Sequence, residues 1–163
     1  MIRAAVPADL GPLNDLYNHY VRETHATFDI EPTTLPQRRE WFSHYGTSGR
    51  HRVLVAVSDD GLLGFATSSP VFPRAAYEPS VSTSIYVAPD ACGRGLGNRL
   101  YGELFALLAG EDVHRAYAGI AIPNPVSIAL HTRFGFSQVG YFTEQGRKFG
   151  RYWDVAWYEK PMP

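Results

Sequence analysis

Gly93, Gly95 and Gly97 alternate with Arg94 and Leu96 in the run CGRGLGNR, and this spacing can hold an anion. A backbone without β-carbons at every second position curls closely around a ligand and turns several N–H groups inward. Leu96, Leu100, Leu104 and Leu108 then recur every four residues, with Leu107 beside them, and predict an amphipathic helix that opens at the glycines. Its N-terminal amides, its dipole and the Arg94 guanidinium together suit a doubly charged pyrophosphate. A tight strand-to-helix connection with no ligand would use the same glycines. The spacing is G-x-G-x-G rather than G-x-G-x-x-G, and no Gly-Lys-Ser/Thr follows, so dinucleotide-binding and P-loop turns are excluded.

The elements that must position this turn can be read on either side of it. Before it, Ser82 to Val87 forms a strand, with Ile85 and Val87 on one face and Tyr86 on the other, stopped by Pro89-Asp90. From the N-terminus, a short strand at Ile2 to Ala4 leads through Pro7 into a helix with Leu10, Leu13, Leu16, Tyr17, Tyr20 and Val21 on its buried face, ending near Arg22. The segment THATFDIEPTT has no helical period and is a loop carrying Phe28, either as a cap on the core or as part of a site. A second helix is expected from about Pro36 to Tyr45, anchored by Trp41 and Phe42 and closed by Gly46 and Gly49.

Val53, Val55 and Val57 alternate, Asp59-Asp60-Gly61 turns the chain, and Leu63 to Ser69 returns as the second arm of a hairpin. Beyond the central helix, Ala116 to Ile122 reads as a strand, Asn124-Pro125 opens a helix through Phe134, and Gly135 stops it. Phe136 to Tyr141 and the aromatic run Arg151 to Tyr158 complete the strands. This mixed order predicts an α/β chain with one mixed sheet and helices on both faces, organised as a single domain over residues 1–163.

Composition narrows the function. A chain of 163 residues with 45% apolar content can bury one substantial core. A formal net charge of −1 gives no electrostatic footprint for nucleic acid or an anionic membrane. No run of eighteen apolar residues exists and the N-terminus lacks a signal-peptide core, so a cytoplasmic location is expected. Cys92 has no second cysteine to pair with, and the histidines lack zinc spacing, so no metal is implied.

The stretch SIYVAPDACGRGLGNRLY resembles motif A of the GNAT superfamily of N-acetyltransferases, Q/R-x-x-G-x-G/A after an apolar strand. Gly95 and Gly97 fit the pattern, and Cys92 stands where the family has Gln or Arg. The run NPVSIALHTRFGF is similar to the family's second signature through Asn124, Ala129, His131, Gly135 and Phe136. The opening IRAAVPADL with LYNHYV, the loop ATFDIEP with Trp41, and the tail KFGRYWDV resemble the phosphinothricin and methionine-sulfoximine acetyltransferase branch. The resemblance covers nearly the whole chain and implies the GNAT fold, a single twisted and mostly antiparallel sheet of about six to seven strands.

It also implies acetyl-CoA as co-substrate and a small amino-acid-like amine as acceptor, acetylated by direct attack in a ternary complex. The pyrophosphate would lie on Gly93, Arg94, Gly95, Leu96, Gly97 and Asn98, and the pantetheine would pair along Ile85, Tyr86 and Val87, with the Val87 amide polarising the thioester. His131 holds the place of the family's proton donor to the departing sulfur, against the plainer alternative of a core or surface histidine. Asn124 is an N-cap, a pantetheine contact, or both. The family's usual glutamate base falls at Ser82, whose hydroxyl can order a relaying water; Glu78 or bulk-connected water are the alternatives.

On the acceptor side the resemblance points to Phe28, Phe72 and Tyr77 as an apolar wall, and to Arg74 as a fork for a carboxylate or phosphinate unless it forms a surface ion pair. A homodimer is implied by the branch, with the aromatic tail Arg151 to Tyr158 as its patch or simply as part of the chain's own sheet. Two other function classes fit the same motifs: acetylation of a protein or peptide amine, and acyl-CoA binding without catalysis.

Overall fold

A computed structural model describes all of residues 1–163. Its centre is a seven-stranded sheet in the order β1-β2-β3-β4-β5-β7-β6. The strands are β1 (Ile2–Ala4), β2 (Arg52–Ser58), β3 (Gly61–Pro70), β4 (Ser80–Val87), β5 (Arg115–Ala121), β6 (Ser137–Lys148) and β7 (Arg151–Pro161). Every neighbouring pair is antiparallel except β4 and β5. That parallel pair is the consequence of an intervening helix, because a strand that leaves the sheet through a crossover returns in the same direction.

The two faces of the sheet carry different helices. On one, α3 (Leu96–Leu108) buries Leu96, Leu100, Leu104 and Leu108 against Leu54, Ala66, Val81, Ala116 and Ile120. Leu100 and Leu104 are fully buried, and truncating either to alanine would cost about 2–5 kcal/mol. Leu107 points away from this seam and is exposed, since it lies off the four-residue row. On this same face, α4 (Pro125–Arg133) packs through Ile128 and Leu130. On the other face, α1 (Leu10–Glu23) and α2 (Leu35–Phe42) cover Val53, Val55 and Phe65.

Local chemistry sets the ends of these helices. Thr34 caps α2 in a reciprocal box with Gln37, a T-x-x-Q signal that places its start firmly. The helix stops at Phe42 rather than Tyr45, because the Ser43 side chain bonds back to the Glu40 carbonyl and residues 43–45 tighten into a turn. Gly95 adopts φ 72°, the left-handed region, as the residue before α3.

β6 is longer than the alternation in the sequence suggests. It runs to Lys148 because register shifts at Gln138/Gly140 and Phe142/Gly146, with Glu144 at φ 52°, interrupt the period of two while keeping the chain paired to β7. Trp153 and Tyr158 of the aromatic tail are buried in the chain's own sheet, whereas Val139, Tyr141, Phe142 and Tyr152 are exposed on the β6–β7 hairpin.

Candidate active site

β4 and β5 are paired only at Ser80–Ser82 with Arg115–Tyr117. Beyond that point they part, and a cleft of about 790 Å³ opens between Thr83–Val87 on one side and Ala118–Ala121 on the other. Ala88 N–H donates to Leu63 of β3, so by the alternation of an antiparallel ladder the N–H groups of Ile85 and Val87 face the open side. A row of backbone donors and acceptors with no strand opposite them fits an extended, amide-bearing ligand.

The glycine turn closes one end of this cleft. Gly93 and Gly95 hold φ 76° and 72°, and a Cβ on Gly97 would lie 3.3 Å from Leu130, so α3 and α4 approach each other there. As first-turn residues, Leu96, Gly97 and Asn98 have N–H groups with no intrahelical acceptor. Asn98 Oδ1 is buried without a hydrogen-bond partner, which marks its amide as part of a binding surface rather than of the core. Gly93, Gly95, Leu96, Gly97 and Asn98 all line the cleft, while Arg94 is exposed and its side chain does not. Cys92, also on the lining, is exposed. These features fit the diphosphate and pantetheine of coenzyme A.

Asn124 lines the same cleft and caps α4 by accepting from Ser127 N–H at 3.2 Å. In the last turn of that helix, His131 is 3% exposed. Its Nδ1 donates to the Ser127 carbonyl at 2.7 Å, which fixes the tautomer and leaves Nε2 to accept from the Tyr101 hydroxyl at 2.9 Å. Burial holds the imidazole pKa below its ordinary value, partly offset by the Ser127 carbonyl, and burial raises that of the Tyr101 phenol. His131 is therefore neutral in the resting protein with both nitrogens engaged, and the proton on this wall of the cleft is that of Tyr101. The sequence hid Tyr101 among the residues of an apolar helix face; a buried phenol needing a partner was the available signal.

A second cavity, of about 240 Å³, lies across β4 under α1 and α2, lined by Tyr17, Asp29, Thr33, Arg38, Trp41, Tyr45, Phe65, Thr67, Ser69, Ser84 and Tyr86. Ser84 and Tyr86 line both cavities. Burial pushes the Tyr86 phenol up to about 12, so it stays protonated. Tyr20, from the last turns of α1, donates to the Val87 carbonyl at 2.7 Å and ties that helix to the end of β4.

Four expected acceptor residues, Phe28, Phe72, Arg74 and Tyr77, line neither cavity. Phe72 and Tyr77 pair with each other at 4.9 Å on the exposed segment between β3 and β4, and Arg74 is exposed at the start of its short turn. Phe28 is half-buried against Gly146 of β6, where it braces the loop between α1 and α2. Ser82 sits where β4 and β5 are still paired and lines neither cavity; Ser84, one pleat on, lines both. Glu78 is exposed, 3.5 Å from Arg50.

The acetyltransferase (GNAT) domain model matches residues 2–157 of the chain. The chain belongs to the GNAT acetyltransferases. It is 57% identical over 163 residues to a phosphinothricin N-acetyltransferase of Streptomyces coelicolor, covering 99% of this chain and 95% of the relative. It is 35% identical over 156 residues to an L-methionine sulfoximine/L-methionine sulfone acetyltransferase of Pseudomonas paraeruginosa, covering 95% and 90%. Among solved structures, a GNAT phosphinothricin acetyltransferase from Sinorhizobium meliloti in complex with AcCoA superposes with TM-score 0.93 at 32% identity, over 99% of this chain and 88% of that one. The protein is thus an N-acetyltransferase of the GNAT fold, and acetyl-CoA is the family's co-substrate.

Proposed function

We propose that this enzyme, one domain over residues 1–163, acetylates the primary amine of a small amino-acid-like substrate of the phosphinothricin, methionine sulfoximine or methionine sulfone type. The observation that carries the reading is the pair of cavities that share Ser84 and Tyr86: a long cleft suited to acetyl-CoA, and a small polar and aromatic cavity suited to the acceptor. Acetyl-CoA, when bound, supplies an acyl carbon already activated as a thioester.

The rest is the work of the chain. The Val87 N–H, pointing into the cleft, donates to the carbonyl oxygen as negative charge grows there. The amine sheds a proton to water held by the Ser84 hydroxyl, which lines both cavities where Ser82 lines neither, since serine cannot itself be the base near neutral pH. The nitrogen–carbon bond forms as the carbon–sulfur bond breaks. Tyr101 rotates its O–H from His131 Nε2 to protonate the departing sulfur and recovers a proton from the water that took the amine's, so His131 acts on that step by positioning the phenol. Asn124 keeps its amide N–H₂ free for the pantetheine while its oxygen caps α4.

A homodimer is part of the same reading, supported by the exposed Val139, Tyr141, Phe142, Phe149 and Tyr152 around the β6–β7 hairpin. So is a cytoplasmic location, supported by the free, exposed Cys92 and by the use of acetyl-CoA; no helix is long and apolar enough to cross a membrane.

The deciding experiment is acetyl-CoA-dependent thiol release, from pH 6 to 9, against phosphinothricin, methionine sulfoximine, methionine sulfone, ordinary amino acids, polyamines and a short peptide. Turnover greatest on the first three is expected. Turnover confined to the peptide, or acetyl-CoA binding with no turnover at all, would remove the small-molecule reading.

A further inference from the structure

Arg38 is only 4% exposed, yet it has no anionic partner. Its Nε donates to Asn14 Oδ1 at 3.1 Å, while Nη1 and Nη2 donate to no protein atom and no carboxylate lies within 4.0 Å. The guanidinium is flanked by Tyr17 and Trp41, whose ring centroids are 4.6 and 4.5 Å from Cζ. Two rings and one amide therefore fix its plane, and the rest of the fork borders the cavity. A charge withdrawn from water and left unpaired is costly, and surrounding aromatics recover only part of that cost.

Asp29 lies on the same cavity wall and is the only carboxylate lining either cavity. It accepts from the Tyr17 hydroxyl at 2.5 Å, which orients it without neutralising it. One small cavity thus presents a positive and a negative group that are not paired with each other, next to apolar walls from Trp41, Tyr45 and Phe65.

We propose that this cavity binds the charged head of a zwitterionic α-amino acid, its carboxylate received by the Arg38 fork and its ammonium by Asp29. A guanidinium whose Nη1 and Nη2 are both free matches a carboxylate in bidentate geometry. The head so held lies against Ser84 and Tyr86, which also line the acetyl-CoA cleft, so the amine is presented to the cleft from the α1–α2 side. This makes Arg38 and Asp29, rather than Arg74, the determinants of acceptor charge. The inference rests on the acetyl-transfer reading above and adds to it the residues that recognise the substrate's charged head.

The test compares L-methionine sulfone with its carboxamide, as acceptors in steady-state kinetics and as ligands in calorimetry without acetyl-CoA. The wild type should prefer the carboxylate by about 100-fold in kcat/KM, because a site built around a buried fork rejects an analogue that cannot fill it. Arg38→Gln should remove most of that preference, mainly through KM of the carboxylate, while acetyl-CoA binding and the carboxamide rate stay within about threefold. Arg38→Lys, which keeps the charge and loses the fork, should recover part of it.

Since Arg38 also braces α2, Thr67→Leu provides a second route: it narrows the cavity from the sheet side and should raise the acceptor KM without changing acetyl-CoA affinity. Acetylation whose carboxylate preference survives both Arg38→Gln and Thr67→Leu would overturn this assignment and leave the transferase reading intact. Amino-acid binding that needs Arg38 but never leads to acetyl transfer would do the reverse. Absence of both binding and turnover would overturn both.

Discussion

The two sides of β4 are built by different means. On the cleft side, function comes from main chain: free N–H groups of a splayed strand, a turn of glycines, the opening of α3. On the cavity side the lining is made of side chains from α1, the loop after it, α2 and the turn that follows it, β3 and β4. The first kind of site depends on shape that few residue types can adopt, and so it leaves a compact signature. The second depends on which side chains meet in space, and it can change its ligand without changing the fold.

The widest separation of the two should come from Gly97→Leu. Its side chain would be driven into Leu130 and Ile85, and acetyl-CoA affinity should fall about 100-fold or more while calorimetric binding of the acceptor is kept. Loss of acceptor binding as well would mean the two sites are one unit. Next in size, His131→Phe keeps the aromatic volume but frees the Tyr101 hydroxyl; kcat should drop by about 10- to 100-fold with both KM values little changed. Tyr101→Phe should match it, and the double variant should be no worse than either alone, because the two act as a pair.

Gly146→Ala works from the other side. The added Cβ would overlap the Phe28 ring and displace the loop that carries Asp29, costing about 1–3 kcal/mol of stability and raising the acceptor KM, with acetyl-CoA affinity unchanged. The smallest effect is on pH dependence. The folded-state pKa of His131 lies below its ordinary value of 6.5, so the unfolded chain binds more protons there, and stability is full above about pH 6.5 and declines as pH falls toward the depressed value. Denaturation midpoints followed from pH 7 to 5 should show this slope in the wild type and a shallower one in His131→Phe.

The same contrast explains what could be read from the chain. The alternation of Ser82 to Val87, the glycines and the leucine row lie within one continuous run, and each has a local physical cause, so strand, turn and helix were legible together. Their order along the chain also gave the mixed sheet and the helices on both faces. Arg38, in contrast, looks like any charge on a helix surface in LPQRREWF; only Trp41 three residues on hints that it is stacked rather than solvated. Asp29 reads as loop polarity. Phe72, Arg74 and Tyr77 had the right chemistry in the right neighbourhood of the sequence, but they are exposed and line neither cavity. Where β6 was concerned, bulges concealed a strand that pairing with β7 sustains.

The hydrogen bond from Tyr20 to the Val87 carbonyl bears on how the two sites are linked. It fastens α1, which roofs the small cavity, to the peptide group whose neighbouring amide faces the cleft, and so joins the walls of the two sites across the strand. Thermodynamic linkage makes such an effect mutual: whatever factor acetyl-CoA contributes to acceptor affinity, the acceptor returns to acetyl-CoA. On the proposed reading, coupling between the two substrates would run through one phenol in the last turns of α1.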